Sequence, residues 1–269
     1  MHSADTYILR HSEFVSLKPD EWLIGETIEC YFQVAKESMD LGKKVFLMNH
    51  YTTGVIMSGN RERMARQRLS KVNFENYEAI ISFFNTGVHW KLLYLYAPSQ
   101  KVFVVDPMGS DEMGDSTAAA KRFRDFFKMR RNVLGKEDWL NINWHPSVIG
   151  HTRQADASSC GVFVMQMGAD IINNFPDIPT YIEINSSAKE MRKLREDLSI
   201  RILEASAPLQ DMCLMCGETP VRQTNWIQCD SCENWFHELC ISKEEYESAK
   251  NEVTWICTFC QPQFGTVDE

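Results

Sequence analysis

No uninterrupted apolar stretch in this chain reaches the roughly 18–20 residues that a membrane-crossing helix needs, so no membrane partner is expected. The opening MHSADTYILRHSEF lacks the basic-then-apolar order of a secretory leader, and secretion is not expected. Internal repeats and low-complexity tracts are missing, which sets aside solenoids and disordered arrays. Basic residues are in deficit: 28 Lys+Arg stand against 37 Asp+Glu, a formal charge of −9, which argues against direct nucleic-acid binding. Cysteine is nearly absent from the first 212 residues, where only Cys30 and Cys160 occur.

What is present is unevenly placed. Seven of the nine cysteines crowd into the last quarter, and from residue 211 onward the balance is −8, leaving −1 for everything before it. With no leader, a reducing compartment is expected, and clustered cysteines then point to metal binding or catalysis rather than to disulfides. Hydrophobic residues make up 44%, a globular value, and 269 residues accommodate one large or two unequal domains. The break in charge and cysteine content divides the chain into residues 1–206 and 211–263, joined by the short linker Ala207–Asp211.

Periodicity predicts a mixed helix-and-strand first domain. Asp20 to Gln33 reads as an amphipathic helix with Asp20 as its N-cap. Lys44 to Met48 is a short apolar run of ambiguous type. Residues 78–84, 90–96 and 101–105 read as strands, with Pro98-Ser-Gln turning between the last two. Ala118 to Arg131 reads as a helix, with Phe123, Phe126 and Phe127 on one face and a basic stripe opposite. Trp139 to Trp144 reads as a further strand, Cys160 to Asn173 as a buried helix, and Ser187 to Ala205 as an amphipathic helix with Met191, Leu194, Leu198, Ile202 and Leu203 inward.

Cys160 follows two serines and opens the apolar helix. A thiol there lies at the positive end of the helix dipole, which suits a nucleophile, and Gly161 permits close approach of another backbone. The plain alternative is a buried packing thiol, the role expected of Cys30. A nucleophile needs a base and the base an orienting acceptor. His89 stands at the mouth of one predicted strand and Asp106 ends the next, so adjacent strands would bring them together. Gln154, six positions before Cys160, offers an amide to a developing oxyanion alongside the Cys160 N–H.

His-Trp, a strand ending in Asp-Pro, then Gln, five residues and Cys-Gly resembles the ubiquitin-like-protein proteases of the ULP/SENP type, the group that includes SUMO and NEDD8 isopeptidases. The resemblance covers roughly residues 20–205 and takes in Glu21-Trp-Leu, Phe83-Phe84 and the closing helix. It implies an α+β, papain-like cysteine protease fold. It implies His89 as base, Asp106 as its orienting group, Cys160 as nucleophile and Gln154 as oxyanion donor. Trp90 would roof a tunnel admitting only an extended diglycine tail. The chain departs from the family pattern at Ser159, where Asp is usual before the nucleophile, and at Arg153, where a second Gln is usual.

The second domain carries Cys213, Cys216, Cys229, Cys232, His237, Cys240, Cys257 and Cys260 in four close pairs, enough for two tetrahedral zinc ions. The order of four cysteines, a histidine and three cysteines, with Trp235-Phe-His and Trp255-Ile-Cys, resembles a PHD finger. That implies a cross-braced, two-zinc fold over 211–262, with Cys213, Cys216, His237 and Cys240 on one ion and Cys229, Cys232, Cys257 and Cys260 on the other. Trp226 and Trp235 resemble the cage walls of methyl-lysine readers, although Pro220 stands where some readers have another aromatic. The acidic surface suits a basic histone tail.

The leading expectation is a cysteine peptidase or isopeptidase acting on a ubiquitin-like modifier, with a histone-binding finger and nuclear residence inferred from that finger, otherwise cytoplasmic. An inactive protease-fold scaffold that reads chromatin and a processing protease of mobile-element or viral type remain as alternatives.

Overall fold

The structure, a computed structural model, describes residues 9, 11–206, 213–216, 225–251 and 254–261. The chain divides into two compact units, Met1–Ala205 and Ser206–Glu269. The linker Ala207–Asp211 and Pro220 lie outside the described residues.

In the first unit the elements run α1 (His11–Phe14), α2 (Gly25–Ser38), β1 (Val45–Leu47), α3 (His50–Ser58), α4 (Arg61–Met64), β2 (Ala79–Asn85), β3 (Trp90–Tyr96), β4 (Lys101–Val105), α5 (Glu112–Leu134), β5 (His145–Ser147), β6 (Gly150–His151), α6 (Cys160–Asn174), β7 (Tyr181–Ile182) and α7 (Ala188–Glu204). The first five strands form one sheet in chain order. Its three central strands pair antiparallel, and β1 and β5 join its edges in parallel.

Successive residues on a strand point to opposite faces, and here both faces are covered. Ile81, Phe83, Leu92, Tyr94 and Val105 pack with Phe32 of α2, Phe163 of α6 and Leu198 of α7. Their neighbours Ile80, Phe84, Leu93, Val102 and Val104 pack with Ile56 of α3 and Phe123, Phe126 and Phe127 of α5. This double burial is why the strands read as nearly continuous apolar runs rather than as clean alternation.

Several boundaries differ from the sequence expectation. The helix expected from Asp20 starts at Gly25, because Asp20 has φ 64° and Ile24 is extended. Leu23 is buried outside the helix, so its apolar character reflects packing and not helical phase. Helix α5 begins six residues early, where Asp111 accepts from Gly114 N. Residues 139–144 form no strand but a turn followed by irregular chain: Trp139 has φ 56°, its N–H donates to Glu75 Oε1, and pairing with β4 starts only at His145. Leu203 is 57% exposed rather than inward. Arg130, on the aromatic face of α5, is fully buried, where it pairs with Asp138 at 2.6 Å and donates to the Leu69 and Val72 carbonyls.

The second unit contains β8 (Trp226–Gln228) paired antiparallel with β9 (Trp235–His237), followed by α8 (Lys243–Asn251). Among the described residues its core is small: Cys229, Phe236, Trp255 and Cys257, with a few half-buried neighbours. So little apolar burial leaves the fold dependent on another source of stability.

Candidate active site and metal centres

Antiparallel pairing sets Leu92 opposite Val105, so the start of β3 and the end of β4 meet at one end of the sheet. His89 and Asp106, the residues just outside those ends, are thereby brought together. His89 Nε2 lies 2.6 Å from Asp106 Oδ1. An ionised carboxylate only accepts, so Nε2 carries a proton. That leaves Nδ1 for Cys160, whose thiol group lies near enough to the same imidazole to raise its pKa. Cys160 is the first residue of α6, which packs on β3 and α2. The Asp106 carboxylate, then the Cys160 thiol group, push the His89 pKa up to about 9 against partial burial.

Asp106 is 1% exposed. Burial alone would raise its pKa, but hydrogen bonds from His89, Ser110, Lys91 and Met108 N hold it well below the usual carboxylate range. Its own N–H donates to Glu112 Oε1 at 2.8 Å, and His151 Nε2 meets the same oxygen at 2.7 Å.

The loop into α6 is organised by Asp156. It accepts from Ser158 N, Ser159 N and Ser159 Oγ, and no serine side chain caps the helix. Gln154 N donates to Pro107 O, tying this loop to the turn after Asp106. The Gln154 Nε2 donates to Asp156 O at 2.8 Å, while Oε1 is buried without a hydrogen-bond partner.

Trp90 Nε1 donates to Leu23 O at 2.9 Å, and its ring meets Phe83 and His50 edge-on. Leu23 in turn packs against Gly161: a Cβ there would lie 2.7 Å from Leu23 Cβ, so the close approach is by a side chain rather than by backbone. Arg195 of α7 completes the junction, donating to the carbonyls of Lys18, Glu21 and Ser158. Trp22, 53% exposed, is carried on this clamped segment. Beside Trp90 lies an open groove of about 540 Å³ lined by Ile24, Gly25, His50 and Tyr51 among others. The sequence singled out Trp22 only within Glu21-Trp-Leu and did not point to Lys91, Ser110, Glu112, His151, Asp156 or Arg195. Lys91 alone left a trace, since it sits two residues from His89 on the strand.

In the second unit the ligand atoms of Cys213, Cys216, His237 and Cys240 lie within 4.8 Å of one another, as do those of Cys229, Cys232, Cys257 and Cys260. These are the two cross-braced sets that the PHD resemblance implies. The Cys232 and Cys257 sulfurs are 3.9 Å apart. A disulfide needs about 2.05 Å, whereas a tetrahedron with Zn–S bonds of about 2.3 Å has an edge of about 3.8 Å. His237 Nδ1 faces Cys216 Sγ at 3.3 Å and Cys240 Sγ at 3.7 Å. Backbone N–H groups of His237 and Cys257 donate to Cys213 and Cys229 sulfurs, as suits thiolate ligands. The donor set therefore fits zinc.

Register places Trp226, Gln228, Trp235 and His237 on one face of the β8–β9 pair and Ile227 and Phe236 on the other. The second face packs the small core, so neither Trp226 nor Trp235 belongs to it. The two indoles stand at 74° with centroids 6.5 Å apart, and Trp226 also contacts the His237 ring.

A model of the Ulp1 protease family, C-terminal catalytic domain, matches residues 52–206, and a PHD-finger model matches 213–260. Comparison with curated proteins finds no match. Among solved structures, the chain is similar to the SUMO protease Ulp1 with its catalytic cysteine oxidised to a sulfenic acid. The TM-score is 0.57 and identity 15%, over 76% of this chain and 87% of that one. It is similar too to the C-terminal Ulp1 protease domain in complex with SMT3, the yeast orthologue of SUMO, with TM-score 0.56 and identity 15% over 75% and 85% of the two chains. A third is a de-sumoylating protease, with TM-score 0.55 and identity 14% over 74% and 88%. At these identities the likeness concerns the fold.

Proposed function

Because the chain belongs to the Ulp1 protease family and carries its catalytic domain followed by a PHD finger, we propose that it hydrolyses the peptide or isopeptide bond after the C-terminal diglycine of a ubiquitin-like modifier. The observation that carries this reading is the single imidazole that donates to Asp106 at 2.6 Å while Cys160, at the start of α6, lies close enough to raise its pKa. Cys160 attacks the carbonyl carbon after the second glycine. The Cys160 N–H, free at the helix start, and the Gln154 amide N–H not given to Asp156 O bind the oxyanion. His89 passes its proton to the leaving amine, then takes one from water as the thioester is cleaved. Asp106 holds the imidazole in the required tautomer. Trp90, with its indole N–H committed to Leu23, walls the approach, and diglycine is the tail that such a wall admits.

SUMO and NEDD8 are the modifiers to test, SUMO first, since a similar structure is a complex with its yeast orthologue. At least one of a panel of diglycine-ended electrophilic probes built on SUMO, NEDD8 and ubiquitin should label the wild type, and Cys160→Ala should abolish the label. Reaction with none of them would leave an inactive scaffold as the better reading.

The finger supports a second part of the same proposal, that it binds a histone tail and holds the protein in the nucleus. Two indoles turned out of the core at a steep mutual angle can attract a methylated lysine by their faces. Trp226→Ala should weaken binding of a methyl-lysine histone peptide at least about tenfold, the order expected for one desolvated cation–π wall. Equal binding of both proteins in a fluorescence titration would remove the cage reading.

A further inference from the structure

Lys91 is two residues beyond His89, so both side chains leave the same side of the chain at the mouth of β3. They end on one carboxylate. His89 Nε2 takes Asp106 Oδ1, and Lys91 Nζ lies 2.9 Å from Asp106 Oδ2. The ammonium also donates to Asp115 Oδ2, in the first turn of α5, at 2.7 Å. Lys91 is 12% exposed, so the pair is not a solvated surface bridge. Met108 N on Oδ1 and Ser110 Oγ on Oδ2 complete two donors for each Asp106 oxygen.

We propose that Lys91 is a positioning residue for the reaction, anchoring the Asp106 carboxylate and drawing on the same negative charge that holds the proton on His89. The role in the reaction rests on the peptidase reading above. Two cations share one carboxylate charge. A carboxylate beside an imidazole favours the charged imidazolium, and a like charge nearby opposes it. With Lys91 on the second oxygen, His89 is less basic than Asp106 alone would make it. That brings the proton donor nearer to the working pH, where transfer to the leaving amine is most effective. Asp115 restrains the ammonium and so limits how much of the Asp106 charge it takes. Burial opposes the Lys91 charge, but Asp115 and Asp106 more than offset this and hold the ammonium above the ordinary lysine value.

The other charged groups around the pair are named by the geometry. Cys160 of α6 lies beside His89, Glu112 of α5 accepts the Asp106 N–H, His151 of β6 meets Glu112, and Arg195 of α7 acts at longer range on Cys160. None of them changes when Lys91 is replaced, so the sign of any shift belongs to Lys91.

The test uses the full zinc-loaded chain and two readouts that need no substrate. These are the NMR titration of His89 in histidine-labelled protein and the pH dependence of Cys160 alkylation by iodoacetamide. Lys91→Met should move the His89 titration and the upper inflection of alkylation to higher pH, and Lys91→Arg should restore both. Asp115→Asn, which leaves Lys91 undivided on Asp106, should move them to lower pH, and serves if Lys91→Met does not fold. An unmoved or lowered inflection in Lys91→Met, an Arg variant behaving like Met, or an unmoved or raised inflection in Asp115→Asn would overturn the proposal. Failure of every modifier probe would count against the peptidase reading and leave this test intact.

Discussion

Asp106 is held by four donors and holds the base in turn, so the pH response of the site follows from one imidazole. His89 has its pKa raised to about 9 and remains charged through neutrality. The proton it gives to the leaving amine is lost above that value, so kcat/KM for a cleaved modifier conjugate should fall along an alkaline limb near pH 9. The sign for stability is the same. A histidine whose folded pKa is raised contributes fully below its unfolded value of about 6.5, and that contribution disappears as pH climbs through about 9. Denaturant midpoints should drop across that interval in the wild type and less in His89→Gln. Asp106→Asn should lower kcat/KM by about 10²–10⁴-fold, as expected when the tautomer of a catalytic base is no longer held. The meeting of His89 with Asp106 and the place of Cys160 at the start of α6 were legible in the sequence because strand ends and a helix start can be read from residue pattern. Lys91, Glu112, His151 and Arg195 were not, because each acts through a partner distant in sequence, and a lone lysine or arginine reads as a solvated face.

At the scale of elements, strands β2 to β4 and helix α6 were readable because double burial makes long apolar runs. The segment before α2 misled for the opposite reason. Trp22 and Leu23 extend the apolar pattern of the helix, yet Leu23 is spent on Gly161 and on the Trp90 indole. Trp139 and Trp144 misled in the same way, since turn and irregular residues buried against Phe74 and one another mimic a strand. The junction between α6 and the residues before α2 is tight enough to test. Gly161→Ala places a methyl against Leu23, and the expected cost is about 1–3 kcal/mol of overpacking, read as a lowered denaturant midpoint. Leu23→Ala in the same background should recover part of that loss by making room.

At the scale of the molecule, the two units draw on different sources of stability. Residues up to Ala205 enclose two cores on the faces of one sheet, whereas the finger encloses a handful of side chains around eight metal-ligand candidates. Removing zinc with a chelator should therefore unfold the finger and leave the protease unit folded, because metal binding supplies most of the folding free energy of so small a module. Limited proteolysis with and without chelator, read by mass, checks this: cleavage should appear within residues 213–260 while the first unit stays intact.

The placement of the nine cysteines has one more consequence, in the stoichiometry of thiol reagents. Seven belong to the metal-ligand sets, and Cys30 is buried with its pKa pushed up to about 11 by that burial and by nearby carboxylates. On the proposed peptidase reading, zinc-loaded protein should consume about one equivalent of a chromogenic disulfide reagent, at Cys160 beside His89, while the raised pKa of Cys30 keeps it a thiol. The count is an active-site titrant, giving the concentration of competent enzyme before any substrate is known, and adding chelator should raise it toward eight.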